Sequence, residues 1–169
     1  MRRFLYWLLP LTWMGVIFYS SSTPYEKQNI KPLLFETIDL SFLEPFLSWI
    51  SFTYHHSVVS IETHGVAGFI EFFIRKGAHV GVFFVLLCLF YIALKKTAGI
   101  LFRTTLFISF FLTAAYAILD EIHQGFTPNR TPYIGDVLLD SVGGLLAAGF
   151  LFVFHRWKKK NNVKKPKKI

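Results

Sequence analysis

Residues 80–94 read VGVFFVLLCLFYIAL, a run of fifteen residues without a charged side chain. The same apolar segment begins further back, at about Val66, and its first half carries a few charged residues. A helix needs about 20 mostly apolar residues to cross roughly 30 Å of hydrocarbon, because each residue advances it by about 1.5 Å. Residues 66–94 therefore predict a transmembrane helix in a chain whose solvent is lipid.

Three further apolar segments can form a bundle with this one. We expect transmembrane helices at about 4–20, 66–94, 104–119 and 133–154. The composition agrees, since 53% of the residues are hydrophobic, 18% are aromatic and the mean hydropathy is +0.46. The predicted fold class is an all-α membrane protein, a bundle of four transmembrane helices in one domain over residues 1–157.

The first apolar segment has a second interpretation. Arg2 and Arg3 at its start, the apolar run and the SSST that follows are also features of a secretory signal peptide. Bulky Trp7, Trp13 and Tyr19 favour a retained anchor, because they suit the aromatic ends of a membrane span better than a small-residue cleavage region.

The basic residues predict the orientation in the membrane. Cytoplasmic flanks of membrane helices are enriched in Lys and Arg, and thirteen of the eighteen basic residues fall on one side of the predicted spans. Both termini lie on that side, so the protein is predicted to be a multi-pass protein of the cytoplasmic membrane with both termini in the cytoplasm. The thirteen residues are Arg2, Arg3, Lys95, Lys96, Arg103, Arg156 and the seven lysines after it.

The net charge of +8 does not indicate a nucleic-acid binder. Seven basic residues lie in the last dozen positions, KKKNNVKKPKKI over residues 158–169. Such a run is typical of a disordered cytoplasmic tail beside anionic lipid headgroups. We therefore expect membrane lipid as a partner and no specific nucleic acid. Cys88 is the single cysteine, which excludes an internal disulfide.

The outer segment between the first two spans, about residues 21–65, is too long for a simple turn. Within it, SFLEPFLSWISF at 41–52 begins with a capping-box pattern from Ser41 to Glu44 and spaces its apolar residues as a helix does. We expect an additional interfacial or re-entrant helix in this first outer loop. Three histidines follow it, and in a surface loop they are more often solvated than metal-bound: His55, His56 and His64.

Polar residues gather at the predicted outer leaflet. The outer ends of the second, third and fourth spans carry them, whereas the inner halves of the second and fourth carry no charge. The residues are Glu71, Arg75, Lys76, His79, Asp120, Glu121, His123, Gln124, Asp136 and Asp140. Residues four apart share a helix face. Glu71, Arg75 and His79 form one such row, and Asp136 and Asp140 form another, which predicts a shallow polar pocket that opens outward.

A purely structural interpretation of these residues is equally open. For a residue near the surface, contact with headgroups or capping of a helix is a sufficient explanation. His79 and Asp140 lie one to two turns deeper, where a charged side chain costs about 2.5 to 3.5 kcal/mol unless it finds a partner. A cluster of ion pairs that locks the bundle and a working site therefore remain alternatives.

The candidate site contains donors for several kinds of chemistry. Carboxylate and imidazole groups suit Mg, Mn or Zn, and Glu121, His123 and Asp136 are the candidate ligands of a divalent metal. The sequence specifies no cofactor, because DEIH is not the HExxH zinc pattern and charged clusters are more often ion-paired. Arg130, in the following turn, either binds a headgroup or phosphate or pairs with these acids. The candidates for acid–base catalysis are His79, Asp120, Glu121 and His123.

Three stretches of the chain resemble a known family. FIRKGAHVGVFF at 73–84 and LDEIHQGFTPNRTPYIGDVLLDSVGG at 119–144 are similar to the signature of VanZ-like membrane proteins. YSSSTP at 19–24 resembles the serine-rich exit of their first helix. The family is named after a protein associated with resistance to the glycopeptide teicoplanin. The resemblance implies a protein of the cell envelope, and a resistance role by analogy.

The family pattern maps onto this chain in three blocks that cover the second to fourth helices. Relatives often carry Asn at the position of Asp140, so the charge at this position is not required throughout the family. The matched residues are Lys76 and His79, then Asp120, Glu121, Gln124, Phe126, Pro128 and Arg130, and last Asp136, Asp140 and Gly143.

Two functional hypotheses follow. In the first, the outward pocket binds a lipid-linked wall precursor, an anionic lipid or a glycopeptide, with Arg75, Lys76 and Arg130 as anion contacts. In the second, the chain is a membrane-embedded enzyme, a metal-assisted hydrolase or transferase on an isoprenoid-linked envelope substrate. The predicted ligand-binding residues are Arg75, Lys76, His79, Asp120, Glu121, Gln124, Arg130, Asp136 and Asp140.

Overall fold

The structure, a computed structural model, describes residues 2–23, 40–128 and 130–163. Four long helices account for most of these residues, and a small hairpin precedes the second of them. The elements in chain order are α1 (Leu8–Ser21), α2 (Glu44–Leu47), β1 (Ser51–Tyr54), β2 (Ser57–Ser60), α3 (Ile61–Thr97), α4 (Phe102–Gln124) and α5 (Ile134–Val163). Short 3-10 turns, Arg2–Trp7 and Ser41–Leu43, precede α1 and α2.

Four helices are long and apolar enough to cross a membrane, which confirms the four predicted spans. Each helix extends beyond its predicted apolar segment, because backbone hydrogen bonding continues through the polar turns at the ends. α5 continues to Val163, so residues 158–163 of the predicted disordered tail are helical instead. Lysines favour this extension, since cations stabilise the C-terminal end of a helix dipole. Residues 164–169 lie outside the described residues.

α3 contains a break near its start. Gly65 has φ 69° and ψ 168°, a conformation that glycine adopts without steric cost. The membrane-spanning part therefore begins at Val66, and Ile61–His64 form a separate turn. A capping box closes this turn: the Ser60 hydroxyl accepts from the Thr63 N–H at 3.3 Å, and the Thr63 hydroxyl accepts from the Ser60 N–H at 3.2 Å.

The predicted interfacial helix in the first outer loop is not confirmed. Its helical part is limited to the 3-10 turn and the four residues of α2. The 3-10 turn begins at Ser41, with Leu40 at its N-cap and no side-chain cap bond from Leu40. A capping box is present at the start of α3. Residues 24–39 of the first loop lie outside the described residues.

An antiparallel hairpin of β1 and β2 takes up the second half of this loop. β-Branched and aromatic residues favour the strands. The two-residue turn is His55–His56, with φ of 48° and 63°, the positive values that suit the twist of a tight hairpin. Asn-Gly is the usual pair at such a turn, so the sequence carries no hairpin signal of the ordinary kind.

α3 is the central helix and packs against α1, α4 and α5. Two hydrogen bonds fix α1 to this core. The Trp13 indole Nε1 donates to the Val82 carbonyl oxygen at 2.9 Å, and the Tyr116 hydroxyl donates to the Met14 carbonyl oxygen at 2.6 Å. The buried apolar cluster around them contains Ile17, Phe83, Leu86, Phe90, Tyr116 and Ala117.

α5 fits between α3 and α4 because it has small residues at the contacts. A Cβ on Gly143 would overlap the backbone carbonyl group of Val80 in α3. A Cβ on Gly144 would instead make ordinary contacts, at 3.4 to 3.5 Å, with the side chains of Phe110 and Thr113 of α4. Small residues allow helices to approach closely in membranes, where apolar burial provides little drive for association.

The two ends of the bundle differ in character. We call the end where α1 and α4 finish and α5 begins the polar end, and the opposite end, which carries Lys95, Lys96 and Arg103, the basic end. Large apolar side chains face outward along the spans, for example Phe107 at 72% and Phe111 at 65% exposure. Apolar surfaces of this extent are stable only against lipid or another protein.

Gly143→Ala tests the close contact between α3 and α5. The added methyl group has to displace backbone rather than a mobile side chain, so we expect the free energy of unfolding to fall by about 1 to 3 kcal/mol. Unfolding of the purified protein in detergent measures it. Gly149→Ala is the matched control, because nothing lies within 4 Å of its Cβ position. Equal stability of the two variants would contradict the contact.

Candidate functional site

Ten polar residues meet at the polar end, and we call them the polar cluster. α3 provides four of them, α4 three, α5 two, and the loop between α4 and α5 one. They are the nine predicted ligand-binding residues together with Glu71: Glu71, Arg75, Lys76, His79, Asp120, Glu121, Gln124, Arg130, Asp136 and Asp140.

An ion pair between Lys76 and Asp136 joins α3 to α5. The Tyr54 hydroxyl, at the end of β1, donates to the same carboxylate oxygen of Asp136. The Lys76 ammonium also lies 4.5 Å from the centre of the Tyr54 ring, within the range of a cation–π interaction. These contacts hold the hairpin against the cluster, so a strand residue that is distant in sequence becomes part of the site.

Tyr54 acts in these contacts as a hydrogen-bond donor. Burial raises the pKa of its hydroxyl above the ordinary value, and the hydrogen bond to the negative Asp136 carboxylate raises it further. The phenol therefore stays protonated over the whole range of physiological pH.

Two further ion pairs lie in the α3 part of the cluster. The Arg75 guanidinium contacts the Glu71 carboxylate at 2.8 Å, one turn away on the same helix. The His79 Nδ1 lies 3.2 Å from the Asp140 carboxylate of α5. Asp140 is 1% exposed and His79 is 26% exposed, so the acid is buried behind the ring and part of the ring stays accessible.

Asp120 ties α4 to α1. Its Oδ2 accepts hydrogen bonds from the Ser21 hydroxyl at 2.9 Å and from the Gln124 amide at 2.8 Å. Arg130 Nη1 donates in turn to the Gln124 amide oxygen at 2.9 Å. The Thr127 hydroxyl donates to the Ser21 carbonyl oxygen. The serine-rich exit of the first helix thus has a structural role, because it supplies the partner of a buried carboxylate.

Glu121 positions the start of α5. Its Oε1 accepts the backbone N–H of Tyr133 at 2.5 Å, next to the helix end where a negative charge is favourable. The Tyr133 ring packs on Tyr54 with centroids 5.1 Å apart and stacks on His55 at 4.6 Å. Glu121 therefore acts through the loop on the same hairpin that Asp136 contacts directly.

His123, a candidate catalytic residue and metal ligand, points to α1 instead of the cluster. Its ring stacks on Phe18 with centroids 3.9 Å apart, and its Nε2 lies 2.9 Å from the Ser22 hydroxyl. The structure thus does not bring it together with Glu121 and Asp136 as a set of metal ligands. Among the described residues, no three His, Cys, Asp or Glu side chains are arranged to hold one metal ion.

Three carboxylates of the cluster each have one buried oxygen without a hydrogen-bond partner among the described residues: Asp120 Oδ1, Glu121 Oε2 and Asp140 Oδ2. Such an oxygen normally costs about 1 to 3 kcal/mol. The polar cluster therefore retains hydrogen-bonding capacity that water or a polar ligand can use.

Two cavities border the cluster and share three of its residues, Arg75, His79 and Arg130. One, of about 340 Å³, lies under the hairpin and is also bordered by Tyr54 and Asp136. We call it the hairpin cavity. The other, of about 180 Å³, lies between α1 and α3, and we call it the α1–α3 cleft.

Arg130 lies in a loop, yet its guanidinium is partly buried and close to another positive charge. Burial lowers the pKa of its guanidinium, and the nearby positive charge of Arg75 lowers it further. The carboxylates of Asp120, Glu121 and Asp136 act in the opposite direction and raise the pKa of Arg130.

Some residues of the site were not among those predicted from the sequence. Tyr54 reaches Asp136 only because the loop forms a hairpin, and Ser21 reaches Asp120 across 99 residues of sequence. Tyr133 contributes a backbone N–H, which no residue type reveals. The YSSSTP match could have identified Ser21, because this residue belongs to the serine-rich stretch that resembles the family.

A bundle of four membrane-length helices with charged residues buried at one end defines a multi-pass membrane protein. This chain belongs to the VanZ/LLP1 family, whose family model matches residues 6–155. The match includes all of the polar cluster and the hairpin, and it confirms the resemblance found in the sequence. Comparisons with the curated proteins and with the solved structures find no match.

A double-mutant cycle on Lys76 and Asp136 tests the connection between α3 and α5. Either Lys76→Met or Asp136→Asn alone leaves a charge without its partner, so the double variant should be more stable than the sum of the single losses predicts. We expect a coupling energy of about 0.5 to 3 kcal/mol, measured by unfolding in detergent. Lys159→Met at the exposed end of α5 is the control. Strict additivity would show that the pair contributes nothing to the fold.

Proposed function

We propose that the polar end binds the anionic headgroup of a membrane lipid or of a lipid-linked cell-wall precursor at the outer face of the cytoplasmic membrane. In this proposal Arg75 and Arg130 contact the headgroup. The remaining residues of the polar cluster hold the two arginines and the hairpin in place.

One observation carries this proposal: Arg75 and Arg130 border both cavities. An anion between two guanidinium groups relieves their repulsion, which is one cause of the lowered pKa of Arg130. Guanidinium groups also match phosphate oxygens in paired hydrogen bonds. A phosphate or diphosphate group is therefore the headgroup that fits this space best.

Lys76 has a different role in this proposal from the anion contact that the sequence predicted. Asp136 and Tyr54 both hold its ammonium group, so it positions the hairpin rather than the ligand. Arg130 donates to the Gln124 amide oxygen and borders both cavities, whereas Lys76 is among the residues that border the hairpin cavity alone.

The space left between the described residues supports a binding role over a purely structural one. A cluster that only locked helices together would be packed as densely as other protein interiors. The hairpin cavity of about 340 Å³ is within the range of small-molecule sites, roughly 300 to 1,000 Å³.

The charge distribution supports the outward orientation of the polar end. The basic end carries Lys95, Lys96, Arg103 and Arg156 together with the lysines after it, and no acidic residue occurs in 81–119 or 141–169. Lys and Arg favour the cytoplasmic side of a membrane. The polar end would then face the side where wall precursors are used and where glycopeptides arrive.

A role in glycopeptide resistance, like that of the family's namesake, is compatible with this site. The protein would act by binding the lipid-linked target or by binding the drug itself. We favour the lipid-linked target, because paired arginines recognise phosphate groups more specifically than the mixed polar surface of a glycopeptide.

Binding of a long-chain polyisoprenyl phosphate tests the proposal. Arg130→Gln removes charge-assisted hydrogen bonds worth about 1.5 to 3 kcal/mol, so we expect its affinity to fall by about tenfold or more. The measurement is titration of purified protein in zwitterionic nanodiscs, followed by native mass spectrometry. Arg103→Gln at the basic end is the matched control, and the uncharged polyisoprenol is the ligand control.

Equal binding of the phosphate and the alcohol, or equal affinities of Arg130→Gln and Arg103→Gln, would reject the headgroup site. The orientation is checked in intact cells on a Cys88→Ala background. His56→Cys at the hairpin turn should react with a membrane-impermeant thiol reagent, and Lys159→Cys should react only after permeabilisation. The reverse pattern would place the polar end on the cytoplasmic face and contradict the proposed orientation.

A membrane-embedded hydrolase or transferase is the second candidate function. The observation that favours it is the pairing of His79 Nδ1 with the buried Asp140 carboxylate, since His79 also borders both cavities. A carboxylate behind a histidine fixes the orientation of the ring, as in general-base catalysis. A phosphate ester held by the two arginines would be the substrate.

Phosphate release from a polyisoprenyl diphosphate tests this second function. His79→Gln should reduce turnover by about a hundredfold or more if the ring acts as acid or base. His123→Gln, whose ring lies against α1, is the control. Assays with and without added Mg²⁺ or Zn²⁺ test the divalent metal. No turnover above the protein-free rate under either condition would leave binding as the function. Full activity in His79→Gln would instead show that His79 is not the acid or base.

A further inference from the structure

The α1–α3 cleft has a polar end and an apolar body. Arg75, His79 and Arg130 border its polar end, with Ser21 and Asp120 beside them. Its apolar walls come from both helices: Val16, Ile17, Val82 and Phe83. The cleft therefore continues the polar cluster toward the middle of the bundle with a change from charged to hydrocarbon lining.

The cleft is closed at one end and open at the side. At the closed end the Trp13 indole donates to the Val82 carbonyl oxygen, so α1 and α3 are in direct contact there. Ile17 and Phe83, at the back, are 5% and 0% exposed, whereas Val16 is 50% exposed. Val16 and Ala78 both belong to helices that are long and apolar enough to cross a membrane, so we expect this side opening to face lipid chains.

We infer that the α1–α3 cleft takes the hydrocarbon chain of the ligand whose headgroup binds at Arg75 and Arg130. The ligand is then an anionic membrane amphiphile that enters sideways from the bilayer, and a water-soluble anion is not the physiological ligand. This inference rests on the proposed function and narrows its ligand class.

The apolar walls and the charged end of the α1–α3 cleft together support a hydrocarbon chain with an anionic headgroup as the ligand. A chain in the cleft fills the space between the apolar walls and gains the packing contacts that an unfilled cavity forfeits. The two arginines lie at the end of the cleft where a headgroup would be, and they also border the hairpin cavity. A chain that leaves through the side opening can be long, because its remainder stays in the membrane.

Three ligands with the same charged group test the inference: a long-chain polyisoprenyl phosphate, a short water-soluble prenyl phosphate and inorganic phosphate. We expect the long-chain ligand to bind at least about tenfold more tightly than the short one, because its chain contacts the cleft walls and also concentrates the ligand in the bilayer beside the opening. The wild-type protein in zwitterionic nanodiscs is titrated with each ligand.

Val16→Trp fills the opening and should lower affinity for the long-chain ligand about tenfold, while binding of the short phosphate stays unchanged. Val142→Trp is the matched control, because it makes the same replacement at an exposed position of α5 that borders neither cavity. Ala78→Phe narrows the cleft from the α3 side and should lower the affinity for the long-chain ligand in the same way. This second variant keeps the test valid if Val16→Trp does not fold.

The outcomes separate this inference from the proposed function. If Arg130→Gln weakens binding but Val16→Trp and Ala78→Phe do not, the headgroup site stands and the chain cleft is rejected. If the short phosphate or a soluble glycopeptide binds as tightly as the long-chain ligand, the chain cleft is rejected as well. If the wild-type protein binds no phosphate at all, both proposals fail.

Discussion

Charged side chains buried at one end of an apolar bundle must find partners within the protein, because lipid offers none. In this chain that requirement connects the helices in pairs. Lys76 and His79 of α3 meet Asp136 and Asp140 of α5, and Asp120 of α4 meets the end of α1 through Ser21. The positions of the helices relative to one another are therefore set as much by charge pairing as by apolar packing.

Close approach of the backbones makes this pairing possible. Gly143 lies one turn after Asp140, and Val80 directly follows His79, so the glycine contact and the His79–Asp140 pair belong to the same crossing of α3 and α5. A side chain at Gly143 would separate the helices and lengthen the hydrogen bonds beside it. Gly143 thus affects the polar cluster by allowing α3 and α5 to approach closely, although it has no side chain that takes part in the contacts.

The polar cluster is only partly satisfied by its own contacts. It contains more carboxylates than cations, and Asp120, Glu121 and Asp140 each keep one buried oxygen without a partner among the described residues. A protein that used these residues only to lock its helices would gain by replacing them with apolar side chains. Asp120, which borders the α1–α3 cleft, therefore has a buried acceptor that water or a hydrogen-bond donor of a ligand can complete.

The sequence by itself determined the four spans and the collection of polar residues at one end, because apolar length and helical spacing are properties of neighbouring residues. It also identified the family, through residues that share helix faces. Only the tertiary structure decided the partners: Asp140 meets His79, His123 turns to α1, and a hairpin with an unusual His55–His56 turn brings Tyr54 to Asp136. These contacts join residues tens of positions apart, and their distances depend on how helices cross and loops fold, which no local pattern of residues records.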